Sequence, residues 1–247
     1  MQTQRFCIKR DYTICCKLFA PDAGAVSKVL IGVHGFAGDK ESSMLRKLAA
    51  AVCKQGAALL CFDFPAHGES PVAEEQLTVQ NCKADLQAVM AYASVRYPGA
   101  EKSIFATSFG GYITLLCADA FPGVPLVLRA PAVTMPRLLL ESVLKTSAEA
   151  FRNRETILCG FERPLRLPYT FFEDLAAQEL LGENQVDAPV LIIHGDADDT
   201  VPLSDVQAFV KTQKRVTLEI LHGANHRFKN PGEMEQIVEL TKKHLGM

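Results

Sequence analysis

The sequence has no excess of charge of either sign and no hydrophobic run long enough to cross a membrane. Its 247 residues carry 26 Lys and Arg against 28 Asp and Glu, which gives a net charge of −2. Nucleic-acid-binding proteins usually carry a basic excess, so this balance argues against a nucleic-acid partner. No apolar stretch approaches the roughly 18 residues of a membrane span, and the first ten residues contain no apolar core of a signal peptide. We therefore expect a cytoplasmic protein.

Motifs for metals and cofactors are also lacking. The eight cysteines never form a Cys-x-x-Cys pair, which argues against zinc-ribbon and thioredoxin-like sites. Without a secretory signal, reduced thiols are the simplest expectation. No G-x-G-x-x-G follows a predicted strand, and no G-x-x-x-x-G-K-[ST] occurs. The sequence thus predicts neither a metal nor a cofactor.

Short apolar runs alternate with segments of helical period. The helical segments include residues 41–55 and 78–97, and a last one at 231–245 closes the chain. Most of the apolar runs lack polar alternation, as strands buried on both faces do. This order predicts one α/β domain over residues 1–247, with a mostly parallel sheet flanked by helices. The runs are residues 29–33, 57–62, 103–106, 125–128, 189–193 and 216–221.

Residues 131–187 interrupt this alternation. The segment contains no clear buried strand and mixes leucines and aromatic residues with Arg and Glu. A long insertion inside a compact domain is usually functional, so we expect a lid or cap whose apolar side chains line a pocket. Packing of the lid onto the core is the alternative role of the same side chains. The candidate pocket residues are Leu138, Leu139, Phe151, Phe171 and Phe172.

A candidate nucleophile follows the predicted strand at 103–106. Ser108 has small residues two positions away on each side, Ala106 and Gly110. This is the G-x-S-x-G pattern with alanine in the first small position, and it is typical of a strand–serine–helix turn. The turn is so sharp that large side chains would clash there. An ordinary helix N-cap serine is the alternative reading of the five residues.

Candidates for a general base and its acid follow the last two predicted strands. A serine nucleophile needs both, and on an α/β sheet they come in the order serine, acid, histidine. The loop after residue 193 offers Asp196, Asp198 and Asp199, and we favour Asp198 because it has room to turn toward a histidine. In the loop after residue 221, His226 lies farther from the strand than His222 and is the predicted base. Their i, i+4 spacing suits a metal pair only on a helix, and the glycine between them favours a loop.

An oxyanion site needs backbone N–H donors. The N–H of Phe109, directly after the candidate nucleophile, is one candidate. The second is the N–H of Phe36, in the glycine-containing loop 34–38 that follows the first apolar run. A further glycine-containing loop at 63–70 carries His67, for which we expect a role in stabilising the turn.

Taken together, these motifs resemble the α/β-hydrolase superfamily over essentially the whole chain. They occur in the family's order and lie at residues 34–36, 62–70, 106–110, 194–202 and 226–228. The most similar group is that of small serine esterases, including cinnamoyl (feruloyl) esterases, which carry a lid insertion at the matching place. The resemblance implies a triad of Ser108, Asp198 and His226, with Phe36 and Phe109 as oxyanion donors. Alanine at position 106 departs from the usual glycine but is also small.

The expected function is hydrolysis of a small-molecule carboxylic ester through an acyl-enzyme. A thioesterase, an acylglycerol lipase or a peptidase on the same fold are alternatives, because a fold does not fix the substrate. A non-catalytic binding protein is a further alternative, and it would be expected to lack a triad residue. A homodimer is left open.

Overall fold

The structure is a computed structural model that describes residues 1–160, 163–180 and 186–247. Within these residues the main sheet has eight strands, and two short strands form a separate pair. In chain order the strands are β1 (Gln2–Lys9), β2 (Thr13–Ala20), β3 (Lys28–Val33), β4 (Ala58–Phe62), β5 (Glu101–Thr107), β6 (Leu126–Arg129), β7 (Ile157–Cys159), β8 (Leu165–Leu167), β9 (Val190–Gly195) and β10 (Val216–Leu221). The α-helices are α1 (Ser43–Cys53), α2 (Val79–Arg96), α3 (Phe109–Leu116), α4 (Met135–Thr146), α5 (Ala148–Arg152), α6 (Tyr169–Ala176), α7 (Leu203–Lys211) and α8 (Glu233–His244).

The main sheet runs in the order β1-β2-β4-β3-β5-β6-β9-β10. β2 is antiparallel to both of its neighbours, and all the other pairs are parallel. The mostly parallel sheet predicted from the sequence is confirmed. The N-terminal hairpin was not predicted, because β1 is an edge strand whose residues are mainly exposed and polar.

Helices cover both faces of the sheet. Alternate residues of β3 point to opposite sides, so that Val29 and Ile31 join one apolar cluster and Leu30 joins the other. α2, α3 and α7 contribute to the first cluster, and α1 and α8 contribute to the second. Because these strands are buried on both faces, most of them are continuous apolar runs in the sequence.

The strand register brings several chain segments to one edge of the sheet. β3 is paired with β4 on one side and with β5 on the other. Val33 at the end of β3 is aligned with Ala106, and Gly195 is aligned with Leu221. Ligands of open α/β sheets bind beyond the carboxyl ends of the strands, where the connections diverge to opposite sides.

The insertion, residues 131–187, lies between β6 and β9 and contributes α4, α5, α6 and the β7–β8 pair. It holds no strand of the main sheet among its described residues; residues 161–162 and 181–185 lie outside the described part. Hydrogen bonds to α2 and α3 help to tie it to the rest of the domain. The Tyr112 hydroxyl donates to the carbonyl of Gln178, and the Val79 N–H donates to the carboxylate of Asp174.

Candidate active site

Ser108 occupies a strained turn between β5 and α3. Its φ of 50° and ψ of −114° are rarely adopted by a residue with a side chain. The Ser108 N–H donates to the carbonyl of Arg129 at 2.9 Å, which ties the turn to the end of β6. A Cβ at Gly110 would lie 2.3 Å from the His34 carbonyl oxygen, so only glycine fits there. The small-residue spacing of the motif therefore has a direct steric cause.

Three side chains from separate loops meet at this edge in a hydrogen-bonded chain. The Ser108 hydroxyl lies 3.0 Å from His226 Nε2, and His226 Nδ1 lies 2.7 Å from Asp198 Oδ2. An ionised carboxylate only accepts hydrogen bonds, so Nδ1 carries the proton and Nε2 is free to accept the serine proton. The structure thus brings together the three residues that the sequence analysis nominated.

The side chain of Asp198 is fully buried. Burial raises its pKa, but hydrogen bonds from His226 and from the N–H groups of Val201 and Thr200 outweigh burial and leave the pKa below its ordinary value. The carboxylate is therefore ionised at neutral pH. Asp196 instead accepts hydrogen bonds from His222 and from the Gly223 N–H.

The sequence analysis missed two residues that lie next to the Ser108–His226–Asp198 hydrogen bonds. His194 Nε2 lies 3.0 Å from the Val201 carbonyl and 3.5 Å from Asp198 Oδ2, and burial lowers its pKa. Arg129 at the end of β6 donates to the carbonyls of His226 and Arg227. Burial lowers the pKa of Arg129 to about 10, so the guanidinium stays charged at neutral pH while it holds the histidine loop.

The loop 34–38 passes directly beside the candidate nucleophile. A Cβ at Gly35 would lie 3.3 Å from the Ser108 Cβ, which shows how closely the two backbones approach. Among the hydrogen bonds of the described residues, the N–H groups of Phe36 and Phe109 donate to no protein acceptor. Both remain able to donate to a substrate oxygen.

Two buried histidines lock this loop to the loop 63–70 in a reciprocal way. His67 Nδ1 donates to the Pro65 carbonyl, so its Nε2 accepts the Ala37 N–H at 3.0 Å. In the opposite direction, His34 Nε2 accepts the Phe64 N–H at 3.1 Å. Burial lowers the pKa of His34 to about 4 and that of His67 to about 3, so both rings are neutral acceptors. The stabilising role expected for His67 thus extends to a second loop.

The Asp63 carboxylate stabilises the loop 63–70 and links it to Lys40. It accepts hydrogen bonds from both nitrogens of Lys40 and from the Glu69 N–H. A Cβ at Gly68 would lie 2.4 Å from this carboxylate, and Gly68 has a φ of +55°. Glycine is therefore required at position 68 by both space and backbone conformation.

Aromatic rings connect the candidate site to the insertion. Phe36 packs on Phe109 at 5.8 Å and on Phe171 at 6.5 Å between ring centroids. Phe171 contacts Phe172, which contacts Phe151. The contacts between these rings form a continuous path from the residue after Ser108 into the insertion.

A pocket of about 440 Å³ lies in the insertion. Phe151 and Phe172 belong to its lining, together with Leu140, whereas Phe171 is fully buried and contacts both Phe36 and Phe172. Leu138 and Leu139 are partly buried against the main core and do not belong to the described lining. The same lining, among described residues, does not include Ser108.

Within the described ranges, no group of three or more His, Cys, Asp or Glu side chains could hold a metal ion. None of the helices that the structure describes is long and apolar enough to cross a bilayer.

Solved structures with the same fold include several hydrolases. Est1E from Butyrivibrio proteoclasticus, solved with ferulic acid bound, superposes with a TM-score of 0.83 at 22% identity, covering 98% of this chain and 100% of that chain. Alpha/beta hydrolase domain-containing protein 10 from mouse gives 0.79 at 19% identity, with 98% of each chain covered. The esterase domain of a Rhodothermus marinus protein gives 0.71 at 19% identity, with 98% and 97% covered. At these identities the likeness establishes the α/β-hydrolase fold.

Comparison of the sequence itself gives the family. No curated protein matches the chain. The family model described as "Serine aminopeptidase, S33" matches residues 24–168, a segment that contains Ser108 and the loops 34–38 and 63–70. Asp198 and His226 lie beyond its end. Since the match spans more than half of the sequence, the chain belongs to this family of α/β hydrolases.

Proposed function

We propose that the protein is a serine hydrolase that cleaves small carboxylic esters through an acyl-enzyme. The observation that carries the proposal is the hydrogen-bonded chain from Ser108 through His226 to Asp198. His226 Nε2 takes the hydroxyl proton as the serine oxygen attacks the ester carbonyl, and the ionised Asp198 stabilises the imidazolium that forms. His226 then returns the proton to the leaving alcohol, and water releases the acyl group in the reverse sense.

The N–H groups of Phe36 and Phe109 are the proposed oxyanion donors. Phe109 is the first residue of α3, so the positive end of the helix dipole also faces the developing charge. The loop that carries Phe36 is fixed by the two histidines, which reduces the reorganisation needed when the oxyanion forms. Loss of a single such donor costs about 10²–10³ in rate.

We also propose that the insertion is a lid that provides the acyl pocket. The support is its pocket of about 440 Å³ and the aromatic path that leads from there to Phe36. A flat aryl acyl group would suit such a lining. Est1E, whose structure contains ferulic acid, shares the fold. On this basis methyl ferulate should be hydrolysed with a higher kcat/KM than ethyl acetate or ethyl butyrate, and the opposite ranking would contradict the aryl pocket.

The triad is tested with p-nitrophenyl butyrate and a fluorophosphonate probe. Wild-type protein should hydrolyse the ester and be labelled at Ser108. Ser108→Ala should lose labelling and lower kcat by about 10⁶, as expected when the nucleophile of a triad is removed. Ser94→Ala is a matched control, because among the described residues that hydroxyl donates to the Met90 carbonyl, within α2. A folded Ser108→Ala protein with wild-type turnover would refute the proposal.

A peptidase is the second candidate, because the matching family description names a serine aminopeptidase. The acyl-enzyme chemistry is shared, and only the leaving group differs. Leucine p-nitroanilide and leucine p-nitrophenyl ester have the same acyl part and separate the two activities. Comparable kcat/KM values for the two would favour the peptidase, and cleavage of the ester alone would favour the esterase.

A further inference from the structure

Two cysteines face each other across the N-terminal hairpin. Cys7 on β1 is the direct register partner of Cys15 on β2. On the other side of β2, the Asp63 N–H donates to the Cys15 carbonyl at 3.0 Å. The N–H and C=O of a strand residue point to the same side, so Cys15 directs its backbone groups toward Asp63 and away from β1. Cys7 and Cys15 are therefore a non-hydrogen-bonded pair.

This type of pair has the spacing that a disulfide needs. In non-hydrogen-bonded antiparallel pairs the Cα atoms are about 4.5 Å apart and the side chains lie on the same face. Disulfides join Cα atoms that are about 4.4–6.8 Å apart. The Cys15 thiol donates to the Glu69 carbonyl at 3.3 Å and must turn away from it to reach Cys7. Closing the bond thus requires side-chain rotation rather than a movement of the strands.

The pair also differs from the other cysteines in its access to solvent. Cys7 is exposed on the edge strand and Cys15 is partly exposed, whereas the remaining six cysteines are buried. Burial and the neighbouring Cys7 thiol raise the pKa of Cys15. A thiolate is the attacking species in thiol–disulfide exchange. Cys7, the more exposed of the two thiols, is therefore suited to attack first, and Cys15 is suited to displace the product.

We propose that Cys7 and Cys15 are a reversible redox site that a low-molecular-weight disulfide converts to a cross-strand disulfide. The Cys7 thiolate attacks one sulfur of the reagent, forms a mixed disulfide and releases one reagent thiol. The Cys15 thiolate then attacks the Cys7 sulfur and releases the second thiol. The protein loses two thiol hydrogens and two electrons, and the reagent disulfide is reduced to two thiols.

Oxidised glutathione and denaturing mass spectrometry test this site in the full chain. After incubation, free thiols are blocked with N-ethylmaleimide and the disulfide is mapped on peptides. Wild-type protein should lose two hydrogens, carry two fewer maleimide adducts and show a Cys7–Cys15 linkage that dithiothreitol reverses. Its Tm should rise on oxidation, because the bond joins the edge strand to its neighbour.

Single substitutions separate the two steps. Cys15→Ser should keep one glutathione on Cys7, and Cys7→Ser should leave Cys15 unmodified over the same time. Cys16→Ala is the matched control, since Cys16 is adjacent in sequence but buried on the other face, and it should still form the bond. Wild-type protein that stays unmodified, keeps glutathione on Cys7 without the internal bond, or links two chains would overturn the proposal.

Discussion

The edge of the sheet that holds the candidate triad and the insertion beside it are stabilised by different interactions. At the sheet edge, directional hydrogen bonds fix the groups: Asp198 accepts two backbone N–H groups, and His34 and His67 join two loops reciprocally. In the insertion, aromatic rings pack against one another, as Phe151 and Phe172 do. Hydrogen bonds impose a geometry, whereas apolar contacts tolerate changes of shape. We therefore expect the sheet edge to control kcat for every ester and the insertion to control the ranking of esters.

Among the variants that keep Ser108, replacing the buried carboxylate of Asp198 should lower kcat the most. Asp198→Asn retains the size of the side chain but supplies an amide where His226 needs an acceptor for its Nδ1 proton. The favoured tautomer then places the proton on Nε2, and kcat should fall by about 10⁴ for aryl and aliphatic esters alike. Steady-state kinetics on both ester types measures the effect.

Asp85→Asn is the matched control, because Asp85 is also buried but is paired with Arg10, in the turn between β1 and β2. Its kcat should equal that of wild type. If Asp198→Asn changed only one class of ester, the proposed division between sheet edge and insertion would fail.

Loosening the loop 34–38, which carries the proposed oxyanion donor Phe36, should have an intermediate effect on kcat. His67→Ala leaves the partly buried Ala37 N–H without its acceptor, which should lower the free energy of unfolding by about 0.5–1.5 kcal/mol. Misplacement of the Phe36 donor should also lower kcat, by at most the 10²–10³ of a lost oxyanion donor. Urea unfolding and ester kinetics measure the two effects.

His67→Gln supplies a carbonyl oxygen near the position of Nε2 and should recover part of both losses. His222→Ala serves as the control, because that side chain is 88% exposed and contacts only Asp196 and solvent among its described side-chain partners. A His67→Ala protein that lost stability but kept wild-type kcat would show that the loop is not a source of the oxyanion donor.

Sequence reasoning came nearest to the structure where the backbone geometry depends on local spacing. The positions of Ser108 and Gly110 follow from the steric needs of one turn, and the ends of the apolar runs located the other loops. His34, His67 and Arg129 act across segments distant in sequence, so no short motif reports their contacts. A charged residue at the end of the apolar run 125–128 was nevertheless a usable signal, since a buried cation requires partners.

The sequence indicated where the insertion lies, but not the role of each of its side chains. Its composition indicated apolar packing, but composition does not distinguish a side chain that lines a pocket from one that supports it. Leu138 and Leu139 illustrate this limit, because they pack against the core while Leu140 faces the pocket. The β7–β8 pair was missed as well, since three-residue strands are too short to give a periodic pattern.

The smallest expected effect comes from comparing two leucines of α4, one of which lines the pocket of the insertion. Leu140 and Leu144 lie one turn apart on α4 and are 38% and 45% exposed, but only Leu140 belongs to the pocket lining. Removing apolar atoms from a half-exposed position should cost at most about 1 kcal/mol of binding, since a buried CH₂ is worth about 0.8 kcal/mol. Leu140→Ala should therefore raise KM for methyl ferulate by a few-fold at unchanged kcat, while Leu144→Ala should leave both constants unchanged. An equal response of the two variants would mean that this pocket does not hold the acyl group, because the two substitutions delete the same atoms and differ in their position relative to the pocket.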